Sequence, residues 1–158
     1  MLIYIESLKG EYMSLKKELE DKKIETVLQH IIDKSNKKIQ ITKEDETVYY
    51  ICQILGVMGN YNNPMEILNL LSPNTKEAFI EINAIKYAEV FDKAYKQIED
   101  ENNKIKGMFR YFKLKKVVTP IIKDLYNKID FLNKESDLVS NHLLPYIIKN
   151  YANLFVED

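Results

Sequence analysis

A chain of 158 residues, 46% apolar and 30% charged, carries enough hydrophobic material for one packed domain and too much for a disordered segment. Its acids and bases nearly cancel, to a net charge of -1, which excludes a global polyanion-binding field and leaves only local patches for such partners. The single cysteine, Cys52, excludes an internal disulfide and a thiolate metal site, and its apolar neighbours point to an inert, buried thiol.

The opening stretch MLIYIESLKGEY has Glu6 within it and no basic residue ahead of its apolar part, so it lacks the layout of a secretory signal. No apolar run approaches the ~20 residues that span a bilayer. The expectation is a cytoplasmic protein with no membrane contact. Lysine far outnumbers arginine, and Ile, Asn and Tyr are abundant, a usage expected of an AT-rich genome: a low-GC bacterium, a phage or a virus.

Ile5, Leu8, Tyr12, Leu15 and Leu19 step by 3, 4, 3 and 4, a heptad seam that predicts a first helix. The seam is short and contains Gly10, so it suits bundle packing or a short dimer contact within residues 1–33. ELEDKK breaks the phase, and Ile24, Val27, Leu28, Ile31 and Ile32 form a second stripe, on a new helix or on the same one bent. A polar connector follows at 34–42, where the alternation of Ile39 and Ile41 leaves a short strand open. Thr42 and Asp45 approximate a capping box and predict a helix to about Gly56 with Val48, Cys52 and Leu55 inward and Tyr49 and Ile51 as further inward candidates.

GVMGNYNNP at 56–64 reads as a loop, with Tyr61 at its tip as a candidate contact residue. Asn63-Pro64 and Ser72-Pro73 each signal a helix start. From Pro73 to about Ile105 the apolar spacing is unbroken through Ile80, Ala84, Tyr87, Ala88, Phe91, Ala94, Tyr95 and Ile98. A continuous helix there measures ~50 Å, longer than a compact globule of this size, so an elongated or dimeric molecule is expected. Gly107 ends or kinks it. Thr119-Pro120 predicts a further helix start, with Ile121, Ile122, Leu125, Tyr126, Ile129 and Leu132 inward. Ser136 is the expected cap of a last helix, kinked at Pro145. The fold expected is an all-α, single-domain bundle of six to seven helices with one long central helix.

Function is sought in three places. KIKGMFRYFKLKK at 104–116 holds the chain's one arginine, five lysines and no acid. On a helix, Lys106, Arg110 and Lys113 share one face, with Lys116 continuing the positive run. Phe109 and Phe112 lie on another face, and Tyr111, Leu114 and Val118 on a third. Two apolar lines imply a helix buried on more than one side, with Phe109 and Phe112 in the core and the lysines solvated. If the aromatics are exposed instead, the segment suits an acidic protein partner or nucleic acid, through phosphate contacts and base stacking. The scarcity of arginine counts against the nucleic-acid alternative.

The carboxylates come next. EVFD at 89–92 resembles the second half of the metal-carboxylate motif of the all-α nucleotide pyrophosphohydrolases, an EExxE run followed by ExxD. That resemblance implies Mg²⁺ on Glu89 and Asp92, but Glu77 and Glu81 depart from the first half in spacing and in the missing doubled glutamate. His30 and His142 have no second metal ligand at helical spacing. No catalytic residue, cofactor site or metal site is assigned.

The reading that follows is a non-enzymatic helical protein that regulates a protein partner by binding it, plausibly as a homodimer. Its expected contacts are Lys106, Arg110, Tyr111, Lys113, Lys116 and Tyr61. The alternatives are a nucleic-acid-associated subunit using the same basic face and, more weakly, a metal-dependent nucleotide hydrolase.

Overall fold

The computed structural model describes the backbone of residues 2–59 and 64–156 and the side chains of 16–59 and 65–156; Tyr61 and its loop tip lie outside the described residues. The described residues form six α-helices and no strand. They are α1 (Leu2–Asn36), α2 (Lys43–Met58), α3 (Pro73–Glu81), α4 (Ile85–Lys104), α5 (Arg110–Glu135) and α6 (Leu144–Asn150). Short 3-10 turns at Pro64–Asn69 and Ala152–Leu154, and a π-helical turn at Val139–Leu143, complete it.

The two apolar stripes near the N-terminus belong to one helix. α1 continues through ELEDKK, and its second half packs on the bundle, burying Val27 and Ile31. Ile39 and Ile41 stand in an irregular connector rather than a strand. The capping box at the start of α2 is present: the Asp45 amide donates to Thr42 Oγ1 at 3.2 Å and the Thr42 amide to Asp45 Oδ2 at 3.0 Å. Inward positions of α2 are Val48, Ile51 and Ile54, all fully buried, while Cys52 and Leu55 are half-buried and Tyr49 is exposed.

Asp45 does more than cap. It is itself buried, and its two oxygens also accept from Lys34 Nζ of α1 at 2.8 Å and from the Tyr151 hydroxyl, just after α6, at 2.8 Å. One carboxylate therefore joins three segments remote in sequence. Burial pushes its pKa up, but the Lys34 ammonium, the Thr42 amide and the Tyr151 hydroxyl outweigh that, and the group titrates below the ordinary carboxylate range. Tyr151 is shifted upward by its burial and by the same bond.

The single long helix expected from Pro73 to Ile105 is two helices. α3 ends in a Schellman motif: the Ala84 amide donates to Phe79 O at 2.8 Å and the Asn83 amide to Ile80 O at 2.9 Å, with Asn83 in the left-handed region at φ 58°. Asparagine tolerates that conformation, so the chain turns without a glycine. The turn folds α4 back over α3 and stacks Phe79 against Phe91, ring centroids 4.5 Å apart, in the centre of the core.

Two other expected boundaries also move. α5 runs straight through Thr119-Pro120. Proline withholds one amide from the helix ladder, but Val118, Ile122, Leu125 and Ile129 form one buried stripe across it, and Pro120 faces solvent. Packing on both sides of the proline outweighs the one lost bond. At the last helix Asp137, not Ser136, is the cap, accepting from the Ser140 amide at 2.7 Å. The π-helical turn directly before Pro145 widens the helix where that residue has no amide to give.

Candidate interaction surface

α4 and α5 form an antiparallel hairpin, and Gly107, at φ +96°, makes the reversal between them. The last buried side chain of α4 is Ile98 and the first of α5 is Val118. Between those two residues no side chain is buried, so the end of the hairpin stands clear of the core. The segment 104–116 is this end. Lys104 closes α4, residues 105–109 make the turn, and Arg110 opens α5.

The core placement expected for Phe109 and Phe112 is overturned. Met108 is 94% exposed, Phe109 63%, Tyr111 63% and Phe112 70%. The periodicity was that of a helix with several apolar lines, but the neighbours that could cover those lines end before reaching them. Tyr111 and Phe112 meet edge to face at 5.9 Å, which orders the two rings relative to each other. Leu114 is half-buried and links the tip to the core.

The cations surround this apolar tip. Lys106, Arg110, Lys113, Lys115 and Lys116 are all exposed. Arg110 donates to the neutral Asn102 Oδ1 at 2.9 Å, which ties the first turn of α5 to the last turns of α4 and leaves the positive charge uncompensated. Lys104 is the exception, paired with Glu101 at 2.7 Å. The structure thus brings Arg110, Tyr111, Lys113 and Lys116 together on α5. Lys106 lies in the turn, not on their helix, so the face shared by Lys106, Arg110 and Lys113 on one continuous helix does not exist.

The other candidates resolve differently. Asp92 is held by Lys96 at 2.8 Å and by Lys76 of α3 at 3.3 Å, and those bonds lower its pKa against burial. Glu89 is exposed and lines a surface depression with Asp124 and Lys128 of α5. Among the described residues no group of three or more His, Cys, Asp or Glu side chains is placed to hold a metal ion. His142 has its Nε2 3.3 Å from Ser136 Oγ and its ring edge to face with Tyr87 at 5.8 Å. His30 lies edge to face with Tyr151 at 6.5 Å. Burial pushes the Cys52 thiol up to about 11, which keeps it protonated.

No described helix is long and apolar enough to cross a membrane. No family model, curated protein or solved structure matches the chain.

Proposed function

We propose that this is a non-enzymatic interaction protein that acts by docking the end of its α4–α5 hairpin into an acidic partner protein. The observation that supports this reading is the exposure of Met108, Phe109, Tyr111 and Phe112 in one cluster, ringed by unneutralised cations. Large apolar side chains grouped at one exposed place mark contact sites, because each is left in water at a cost that a partner would remove. Aromatic residues make the strongest interface anchors, and the lysines would steer and orient an acidic surface. The tip is convex, so the complementary surface is an apolar hollow rimmed by carboxylates. In such a complex the protein would regulate its partner by occupancy.

The nucleic-acid reading is kept for one observation: Tyr111 and Phe112 are exposed beside Lys113 and Lys116, the pairing of ring and cation that holds single strands. Selection of a helical-peptide display library against the purified protein separates the two. Acidic amphipathic peptides are expected to enrich, and Phe109→Ser with Phe112→Ser is expected to weaken them at least ~30-fold, as loss of an aromatic anchor does. Both side chains are exposed, so the melting temperature should stay within ~2 °C of the parent. Fluorescence anisotropy with single- and double-stranded DNA and RNA, at low and near-physiological salt, forms the second arm. Binding there that falls steeply with salt and vanishes in Lys106→Glu/Arg110→Glu/Lys113→Glu replaces the first reading with the second. No enrichment and no nucleic-acid binding refutes both.

A further inference from the structure

A second surface, on α1, leads to an inference independent of the hairpin tip. α1 is one continuous helix, so a single heptad register can be carried along it from the N-terminal seam into the part that packs on the bundle. With Ile5, Tyr12 and Leu19 at position a, Leu8, Leu15 and Lys22 fall at d. In the same register Glu20, Val27 and Lys34 are b positions, and Ile24 and Ile31 are f positions. The described contacts of α1 with the bundle centre on these five: Val27 and Ile31 are buried, Ile24 is half-buried, Lys34 bonds Asp45, and Glu20 accepts from Ser140 Oγ at 3.1 Å, while His30, an e position, meets Tyr151 at the edge of this side. The b and f positions lie on the side of a helix opposite a and d. The bundle therefore uses one side of α1, and the apolar seam is written on the other.

The described a and d positions agree with that assignment. Leu19 is 53% exposed, and Lys22, Thr26, Gln29 and Asp33, which continue the a/d line, are all exposed. The line turns polar after Leu19, and the described bundle contacts of Val27 and Ile31 lie on the opposite side. The apolar seam is thus confined to residues 5–19 and has no covering element in its own bundle at its described end.

The charges flanking the seam say what covers it. Position e is occupied by Lys9, Lys16 and Lys23, and position g by Glu11, Glu18 and Glu25. In a parallel two-stranded coiled coil, a g residue meets the e residue five positions later on the other strand. Two copies of this chain in register would then pair Glu11 with Lys16 of the second copy and Glu18 with Lys23 of the second copy, and the reverse. An antiparallel pairing would set e against e and g against g, lysine on lysine and glutamate on glutamate. Leucine at both apolar d positions and Ile5 at a are the choices that favour two strands.

We propose that residues 5–19 form a parallel, in-register coiled coil with the same residues of a second copy of this chain. The dimer sets two bundles on one stem, and each carries its own hairpin tip, so a partner offering two acidic sites would be bound bivalently.

Sedimentation equilibrium on the full chain tests this. The expected result is a concentration-dependent rise from the 18.7 kDa of one chain to twice that mass. Lys16→Glu/Lys23→Glu turns four attractive pairs per dimer repulsive and should weaken association on the order of a hundredfold, taking about twofold for each attraction lost and each repulsion gained. Glu11→Lys/Glu18→Lys should do the same alone, and an equimolar mixture of the two variants should dimerise like the parent. Orientation is read in a Cys52→Ser background carrying Ile5→Cys. Parallel strands place the two new thiols together, and oxidised glutathione gives a covalent dimer. Antiparallel strands hold them roughly 21 Å apart and give none. A monomer at all concentrations overturns the proposal. So does a dimer that survives Lys16→Glu/Lys23→Glu, or one in which Ile5→Cys fails to cross-link.

Discussion

Replacing Asp45 by alanine is the most informative single perturbation of this fold. The carboxylate is buried at 1% side-chain exposure and is bonded to Lys34 at 2.8 Å, with Lys34 itself only 21% exposed. It also accepts from the Thr42 amide at 3.0 Å and the Tyr151 hydroxyl at 2.8 Å. Removing one partner of a buried pair costs about 3–5 kcal/mol, because the other charge is left in place without compensation. Lys34 reaches some water, which favours the low end, about 3 kcal/mol. The lost cap and the stranded Tyr151 hydroxyl each amount to about 1 kcal/mol and are parts of that figure, not additions to it. For a chain of this length about 3 kcal/mol lowers the melting temperature by roughly 6–12 °C. Urea denaturation with Asp45→Ala, Tyr151→Phe and the double variant measures both the loss and the coupling between the two residues. A loss below about 1 kcal/mol for Asp45→Ala would refute the account of this carboxylate as the joint of three segments.

The same group gives a pH signature. Its folded pKa is lowered, so the native state binds fewer protons than the unfolded chain, and the stabilisation is complete above the ordinary carboxylate pKa. Stability falls as the pH drops through that value toward the lower folded one. In Asp45→Asn that part of the acid-side loss should be missing. An unchanged pH profile would show that other carboxylates carry it.

Two further outcomes follow from particular residues. Asn83 sits at φ 58° in the turn between α3 and α4, so Asn83→Val should cost about 1–2 kcal/mol and Asn83→Gly should cost little or stabilise, as paired denaturation curves would show. The Cys52 thiol, raised to about 11, should react with a disulfide reagent at pH 8 far more slowly in the native protein than in urea; equal rates would show that it is neither buried nor perturbed.

The helical class, the Thr42–Asp45 capping box and a helix break at Gly107 were legible in the chain because each depends on residues a few positions apart. Apolar periodicity, a hydroxyl three residues before a carboxylate, and a glycine free to take positive φ act locally wherever the chain goes. Asn83 carried a weaker signal of the same kind and was hidden inside an unbroken apolar spacing. Pro120 gave a strong local signal that the buried stripe from Val118 to Ile129 overrode. The Lys34–Asp45–Tyr151 joint had no local mark at all, since its members come from α1, α2 and the segment after α6. At the candidate contact surface the sequence by itself singled out the segment that holds Arg110, Tyr111, Lys113 and Lys116, and placed Phe109 and Phe112 wrongly in the core. Periodicity determines which side chains share a face. Whether anything covers that face depends on where neighbouring helices end, and only the tertiary structure decided that Phe109 and Phe112 stand in water.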